Sequence, residues 1–237
     1  MLGLGSGLFY SNPSEEWLPT NMGDLQLWLK QGADVSASIW RDQSGNDNHA
    51  IQETEGDQAA VSDGGLDFEQ SEGDHYDLQS TINIPSANGT VGGFIIGIMT
   101  TIESYDGTQN TFLSSATDNF IELQSNDKFR INMDGTTSIL LPDTNNLFNI
   151  GTKFFFTIVR DNNGAFRLYK NGSLLDYAGS GTQNLTNTDN VDINALGCRN
   201  KATADRFFDG IMFEVIVSTK YSINDITEVN NYLGRKL

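Results

Sequence analysis

Two carboxylates inside apolar stretches are the residues with the strongest case for catalysis. Glu122 lies in the segment Phe120–Gln124, and Glu214 lies in the segment 211–217. Glycosidases that work from a single strand carry two acidic groups on it, so that the pair flanks the glycosidic bond. Neither glutamate has an acidic residue two or four positions further along. Hydrolysis is therefore disfavoured, and each glutamate is expected to face solvent or to hold structural bonds.

A loop rich in oxygen side chains offers ligands for a hard cation. Residues 42–50 read DQSGNDNHA, with carboxylates at Asp42 and Asp47. Calcium binds such oxygen ligands, but Asp and Asn also stabilise turns through their own backbone. Both interpretations stay open, a Ca²⁺ site at Asp42 and Asp47 or a structural turn, and no other cofactor is expected. His49 and His75 have no second ligand at metal spacing, so both are expected to be structural.

Three tyrosines are candidates for contact with a glycan, since aromatic faces pack on sugar rings. Tyr105, Tyr177 and Tyr221 lie near predicted loops, where they could be exposed. Trp28 and Trp40 fall at positions that define the predicted fold, so core packing is the expected role of both.

The N-terminal residues 1–20 form a Gly-rich arm ahead of the domain predicted over residues 21–237. A segment of this kind should be mobile on its own. Its apolar residues nevertheless indicate docking, and they are Leu2, Leu4, Leu8, Phe9 and Tyr10. We expect the arm to dock on its own domain or on a neighbouring subunit, with Trp17 as a docking residue. The arm has neither the basic nor the long apolar region of a signal peptide.

Composition indicates one large β domain. The 237 residues are 38% apolar, and 24 Gly with only 4 Pro suit many short strands joined by tight turns. The net charge of −17 argues against binding to nucleic-acid phosphates or to an anionic membrane surface. Cys198 is the only cysteine, so no intrachain disulfide is expected and this residue should be buried.

Alternating apolar patterns predict strands. The segment 153–175 predicts three consecutive strands, because Asn171-Gly172 suits a type I′ hairpin turn. Within it, residues 154–159 are apolar on both faces, so this strand should lie inside a packed structure. Alternation over residues 211–217 also predicts a strand, one face of which would carry Ile211, Phe213, Val215 and Val217.

The chain closes with its one convincing helix. Ser222 is a good N-cap, and Asp225 follows three residues later. A helical stripe follows, formed by Ile223, Ile226, Val229 and Leu233. Roughly 10 to 14 strands and one short helix predict an all-β fold with two packed sheets.

Residues 25–52 read LQLWLKQGADVSASIWRDQSGNDNHAIQ. They resemble the opening of concanavalin A-like lectin/glucanase domains of the laminin-G-like kind, in which an LWL strand precedes a Trp, an Asp-x-Ser-Gly-Asn turn and NHA. Residues 66–78, 154–175 and 208–237 resemble later segments of the same family, so the resemblance runs from about residue 24 to the C-terminus. It implies an antiparallel jelly-roll sandwich. Glycosidases of this fold would show an E-x-D-x-E strand, which this chain lacks.

An arm directly ahead of such a domain resembles structural proteins of tailed phages from marine bacteria. This second resemblance implies a non-enzymatic virion structural protein, either a capsid decoration or a tail-associated protein. It would lie on the virion surface and reach other virion proteins through its arm. The alternative is a carbohydrate-binding module that recognises cell-surface glycans, with or without Ca²⁺. The two roles can coexist in one protein, and an inactive or divergent glycan hydrolase is the third hypothesis.

Overall fold

The computed structural model describes residues 16–86, 91–105, 110–116, 119–124, 128–133, 137–142, 148–175, 186–199 and 204–237. Six of the predicted contact residues lie outside this part of the chain, namely Leu2, Leu4, Leu8, Phe9, Tyr10 and Tyr177. Among the described residues, no helix is long and apolar enough to cross a membrane.

Sixteen strands and one α-helix make up the regular structure of the described chain. The strands are β1 (Leu25–Leu29), β2 (Ile39–Trp40), β3 (Ala50–Ile51), β4 (Ala60–Ser62), β5 (Gly65–Phe68), β6 (Tyr76–Ile84), β7 (Phe94–Ile102), β8 (Asn110–Ser114), β9 (Phe120–Gln124), β10 (Lys128–Met133), β11 (Thr137–Pro142), β12 (Phe154–Arg160), β13 (Phe166–Lys170), β14 (Ser173–Leu174), β15 (Val191–Leu196) and β16 (Gly210–Ser218). The helix α1 spans Ile223–Gly234, and short 3₁₀ helices span Pro19–Asn21 and Glu55–Asp57.

The strands form two antiparallel sheets. The first sheet has the order β14-β13-β12-β7-β16-β5-β4, and β1 also pairs with β16. The second sheet has the order β11-β10-β9-β8-β15-β6-β3-β2. The predicted all-β, two-sheet antiparallel jelly-roll sandwich with one short C-terminal helix is confirmed.

Aromatic rings fill the space between the two sheets. Phe156 of β12 lies with its ring centroid 4.8 Å from those of both Phe112 and Phe129, which come from the opposite sheet. Such edge-to-face pairs contribute about 0.5 to 1.5 kcal/mol beyond the burial of their area. Trp40 is also fully buried in this core, as predicted.

The first sheet is covered on its outer face by α1, which explains why β12 is apolar on both faces. Phe156 points into the core between the sheets, whereas Phe155 and Val159 pack with α1 in a second apolar cluster. Between them, Thr157 donates its hydroxyl hydrogen bond to Asn230 of the helix, with 2.8 Å between the oxygens. The outer face of the first sheet is therefore covered by the helix.

The helix begins as predicted but packs on a slightly different face. The hydroxyl oxygen of Ser222 accepts a hydrogen bond from the backbone N–H of Asp225. The buried residues are Ile226, Val229, Tyr232 and Leu233. Ile223, predicted to belong to this stripe, is 60% exposed. With Tyr232 included, the buried face is centred about 110° around the helix from Ile223, at 100° per residue.

The predicted alternation of residues 211–217 is wrong at one point, because β16 contains a β-bulge. Its pairing with β7 shifts between Met212 and Glu214, and the extra residue re-aims the side chains that follow. Val215 and Val217 consequently join Met212 in the core between the sheets. Phe213 lies instead in the cluster under α1, and so does Ile216.

Candidate functional site

The outer face of the second sheet brings together a carboxylate, a phenyl ring and three guanidinium groups. Phe120 and Glu122 are two residues apart on β9, so they share a face, while Ile121 and Leu123 point into the core. Antiparallel pairing with β10 sets Arg130 directly opposite Glu122. Cross-strand neighbours of this kind lie close enough for their side chains to interact.

Glu122 is fully buried, and its carboxylate is only loosely held. Its Oε1 accepts a hydrogen bond from Nη1 of Arg130 at 3.3 Å. Its Oε2 lies 3.6 Å from Nη1 of Arg206 and has no hydrogen-bond partner among the described residues. Burial raises the pKa of Glu122 even though Arg206, Arg130 and Arg199 act to lower it. The carboxylate therefore gains less from its neighbours than it loses by leaving water.

The ring of Phe120 lies at the centre of the three guanidinium groups. The guanidinium carbons of Arg199, Arg130 and Arg206 are 4.3, 4.8 and 5.9 Å from its centroid. Cation–π contacts act over this range, so the buried ring holds the three cations together. We call Phe120, Glu122, Arg130, Arg199 and Arg206 the arginine cluster.

Arg206, which provides the third guanidinium group, has a strained backbone conformation. The backbones of Arg199 and Asp205 pair as an isolated bridge, and their side chains form an ion pair with 4.0 Å between Nε and Oδ1. Arg206 follows in the left-handed region, with φ of 54°. A residue of this shape in that region costs on the order of 1 kcal/mol, and such strain often marks functional sites.

A polar cavity of about 450 Å³ lies further along the same face. It is formed where β6 meets β3 and the residues that follow β3. Its polar lining residues are Gln52, Glu53, Thr54, Asp57, His75, Asp77 and Gln79. Side chains of these types donate and accept hydrogen bonds, so the cavity can hold a ligand rich in hydroxyl groups.

The predicted calcium loop is organised by Asp42. Its carboxylate accepts backbone hydrogen bonds from Trp28 at 2.8 Å, Ser44 at 2.9 Å and Asn48 at 3.0 Å, and one from the Ser44 hydroxyl at 2.6 Å. These bonds support the interpretation of a structural turn. Asp47 is exposed, with φ of 57°. Calcium binding at Asp42 and Asp47 stays a prediction.

A different group of carboxylates has the spacing that a metal ion would need. Oxygens of Asp67, Glu69 and Glu103 lie within 4.8 Å of one another. Burial raises the pKa of all three, and the next cause is the charge of Asp209 for Asp67 and Glu69 and the charge of Asp67 for Glu103. Sequence reasoning missed this group because Glu103 is far along the chain from Asp67 and Glu69. Exposed acidic groups of this kind are common without an ion.

The two histidines make contacts within the chain, and the cysteine is buried. Nδ1 of His49 accepts a hydrogen bond from the backbone N–H of Asp42 at 3.1 Å. Nδ1 of His75 lies 2.8 Å from the carbonyl oxygen of Gly73. Cys198 is buried, and burial raises the pKa of its thiol to about 12, which disfavours nucleophilic chemistry at neutral pH.

The described tyrosines and Trp17 make contacts within this chain. Tyr105 is half-buried and donates its hydroxyl hydrogen bond to the carbonyl oxygen of Phe148 at 2.8 Å. Tyr221 is also half-buried, and its hydroxyl accepts from Arg167 at 3.2 Å. Trp17 packs edge-on against Tyr232 of α1, with 6.1 Å between ring centroids. Their roles in glycan contact and in assembly stay predictions.

Glu214 lies on the opposite outer face of the sandwich, under α1. It is fully buried and accepts hydrogen bonds from Trp28 Nε1 at 2.7 Å, from the Tyr232 hydroxyl at 2.6 Å and from Lys236 Nζ. Glu122 and Glu214 therefore occupy different sheets and cannot flank one glycosidic bond. Neither faces solvent. Both are bonded within the chain, which was the second of the two expected outcomes, but Glu122 is held more loosely than Glu214.

Comparison with known proteins identifies the fold. No family model matches the chain, and no curated protein matches it. Among solved structures, Trypanosoma rangeli sialidase in complex with 2,3-difluorosialic acid superposes with a TM-score of 0.60 and 15% identity, over 91% of this chain and 33% of the sialidase. The binding domain of Paraclostridial Mosquitocidal Protein 1 gives a TM-score of 0.61 and 14% identity, over 91% and 53%. This chain thus spans about a third of the sialidase and half of the toxin domain.

A third similar structure is domain 4 of AbnA, a GH43 extracellular arabinanase from Geobacillus stearothermophilus, in complex with arabinotriose. It gives a TM-score of 0.53 at 17% identity, over 87% of this chain and 98% of that domain. At identities this low, the superpositions show that the β-sandwich fold is shared and no more than that.

Proposed function

We propose that this chain is a glycan-binding β-sandwich and that the outer face of its second sheet is the binding surface. The observation that carries the proposal is the make-up of that face, where the polar cavity and the arginine cluster lie on one sheet. Three strand spacings separate β9 from β6 in the sheet order. This corresponds to about 14 Å, which a short oligosaccharide can span.

Similar structures support the class of ligand. The arabinanase domain that resembles almost the whole of this chain holds arabinotriose, and the toxin segment is a binding domain. Catalysis is not part of the proposal, since Glu122 and Glu214 lie on opposite faces of the sandwich.

A glycan array probed with the labelled full chain, followed by calorimetric titration of the best ligand, tests the proposal. Asp77→Ala and Gln79→Ala alter the polar cavity, and we expect each to weaken binding on the order of tenfold, the effect of one lost hydrogen bond to a polar ligand. Asn224→Ala, an exposed site on α1, should bind like the wild type. Failure of every glycan to bind, or unchanged binding by both cavity variants, would contradict the proposal. Adding EDTA to the same titrations tests the predicted calcium dependence.

A finer proposal places this sandwich on a virion surface, anchored to other virion proteins through the arm. The observation that favours it is how the base of the arm is held. Arg235 at the end of α1 pairs with Glu16, at 3.3 Å from Nε to Oε1, and donates to the carbonyl oxygen of Trp17 at 3.3 Å. Glu16 and Trp17 therefore lie on the helix-covered side of the sandwich, opposite the outer face of the second sheet.

Light scattering of the full chain and of a chain lacking residues 1–15 tests the anchoring role. The truncation keeps Glu16 and Trp17, so the contacts with α1 are preserved. An oligomeric full chain and a monomeric truncated chain of equal thermal stability are the expected results. Two monomers would rule out self-assembly through the arm, and co-sedimentation with virion proteins would then test anchoring to a different partner.

A further inference from the structure

The arginine cluster concentrates positive charge in an acidic protein. Three of the chain's 14 Lys and Arg residues converge on the ring of Phe120, whereas the chain as a whole has a net charge of −17. Arginine presents a planar fork of donors that matches the geometry of carboxylate and sulfate groups. The cluster therefore has the chemistry of an oxyanion site.

The donors of Arg206 are not saturated by Glu122. Its Nη1 is buried, lies 3.6 Å from Oε2 of Glu122 and makes no hydrogen bond to the described residues. Charge-assisted hydrogen bonds between such groups ordinarily measure about 2.7 to 2.9 Å. Glu122 therefore holds this buried end of the Arg206 guanidinium only weakly, and the exposed part of the same side chain is left to meet an anion from solvent.

The side chains of the arginine cluster differ in how much of each is exposed to solvent. Glu122 is 0% exposed and Arg199 is 7% exposed, so both lie at the buried base of the cluster. The side chains of Arg130 and Arg206 are 25% and 30% exposed, so they reach solvent. A ligand arriving from outside meets these two guanidinium groups first, with the carboxylate of Glu122 behind them.

We propose that the arginine cluster binds the carboxylate or sulfate of an acidic sugar, with Arg130 and Arg206 as the contacting residues. Glu122 acts as an internal competitor, because its carboxylate attracts the same two guanidinium groups from the buried side when no ligand is bound. Phe120 and Arg199 are positioning residues, because they hold the two exposed guanidinium groups in place. The inference rests on the proposed glycan-binding function and names the class of glycan.

The test is calorimetric titration of the full chain with three probes: an oligogalacturonate for carboxylates, dextran sulfate for sulfates and arabinotriose as a neutral sugar. We expect at least one acidic probe to bind and arabinotriose to bind weakly. Arg206→Gln and Arg130→Gln should each weaken acidic binding on the order of tenfold or more, as for a lost charged hydrogen bond. Lys220→Gln, an exposed cation in the turn between β16 of the first sheet and α1, is the control and should leave binding unchanged.

Glu122→Gln gives the sharpest arm of the experiment, because its expected effect has the opposite sign. Neutralising the competitor should tighten binding of the acidic probe by about tenfold, the effect of about 1.4 kcal/mol. Circular dichroism and thermal unfolding of each variant establish that it is folded. A purely structural ion-pair cluster would change stability without this gain in affinity.

The outcomes separate the two proposals. Binding of arabinotriose that equals acidic binding, or acidic binding that both arginine variants retain, would overturn the acidic-sugar inference and leave glycan binding standing. Failure of all three probes together with a blank glycan array would overturn both. The probe that binds, oligogalacturonate or dextran sulfate, identifies whether the site takes a carboxylate or a sulfate.

Discussion

The two outer faces of this sandwich each bury a glutamate, and the two glutamates are held in different ways. Glu214 accepts hydrogen bonds from Trp28, Tyr232 and Lys236, and two of them measure 2.7 and 2.6 Å. Glu122 accepts one at 3.3 Å, and its second oxygen accepts none from the described residues. Burial alone therefore does not distinguish a structural carboxylate from one in a binding site. The number and length of the hydrogen bonds do.

The largest expected effect is at Glu214. Glu214→Ala leaves Lys236 and the Trp28 and Tyr232 donors without their buried acceptor, and breaking a buried ion pair in this way typically costs about 3 to 5 kcal/mol. Urea unfolding should show this loss in the free energy of unfolding. Asn224→Ala on the exposed side of α1 should change it by less than about 0.5 kcal/mol. A loss below about 1 kcal/mol for Glu214→Ala would remove the contrast between the two faces.

The second prediction tests how tightly the helix closes the first sheet. A Cβ added at Gly97 would lie 3.0 Å from Val229 Cγ1 and 3.1 Å from Leu233 Cδ1 of α1. Gly97→Ala should therefore destabilise the fold by about 1 to 3 kcal/mol, the usual cost of overpacking. Gly56→Ala, which meets nothing within 4 Å, is the matched control in thermal unfolding. Equal melting temperatures for both variants would mean that α1 shifts to accommodate the added methyl group at little cost in stability.

Local patterns in the sequence predicted most of the fold. The segment 153–175 contains the three predicted strands, which are β12, β13 and β14, and Ser222 caps α1. The two-faced strand β12 is confirmed because its alternation uses only neighbouring residues. The bulge at Met212–Glu214 escaped prediction, since a strand with apolar residues on both faces gives no signal for one extra residue.

The candidate site could be predicted only in part, because its members come from separate segments. Glu122 was identified from the sequence as a lone carboxylate. Its partner Arg130 lies directly opposite it in the pairing of β9 with β10, strands that follow one another in the chain. Arg199 and Arg206 reach Phe120 only because the chain returns to the same face some 80 residues later, which no local spacing encodes. A tertiary cluster of this kind needs the sheet order to be known.

The third prediction separates the two faces by pH. Because burial raises the folded-state pKa of Glu122 above its ordinary value of 4.5, ionisation of Glu122 costs the folded state stability at neutral pH. The wild type should therefore gain stability relative to Glu122→Gln as the pH falls through the folded pKa toward 4.5. Urea unfolding of both proteins over this range measures the difference. The prediction would be contradicted if the stability of the wild type relative to Glu122→Gln rose as the pH was raised.

The smallest expected effect concerns carboxylates near the surface, where solvent weakens every charge interaction. Asp67, Glu69 and Glu103 repel one another, and their raised pKa values mean that ionisation of the group opposes folding. Glu69→Gln or Glu103→Gln should therefore stabilise the protein at neutral pH by about 0.5 kcal/mol, as for a typical exposed charge pair. Thermal unfolding in EDTA measures the gain, with Glu55→Gln as the exposed control. The gain should shrink in high salt, where exposed charges are screened, and also as the pH falls through the raised pKa values. A loss of stability instead would show that these carboxylates, like that of Glu214, are held by favourable contacts. A raised pKa would then not be enough to tell a weakly held carboxylate, such as that of Glu122, from a well-held one.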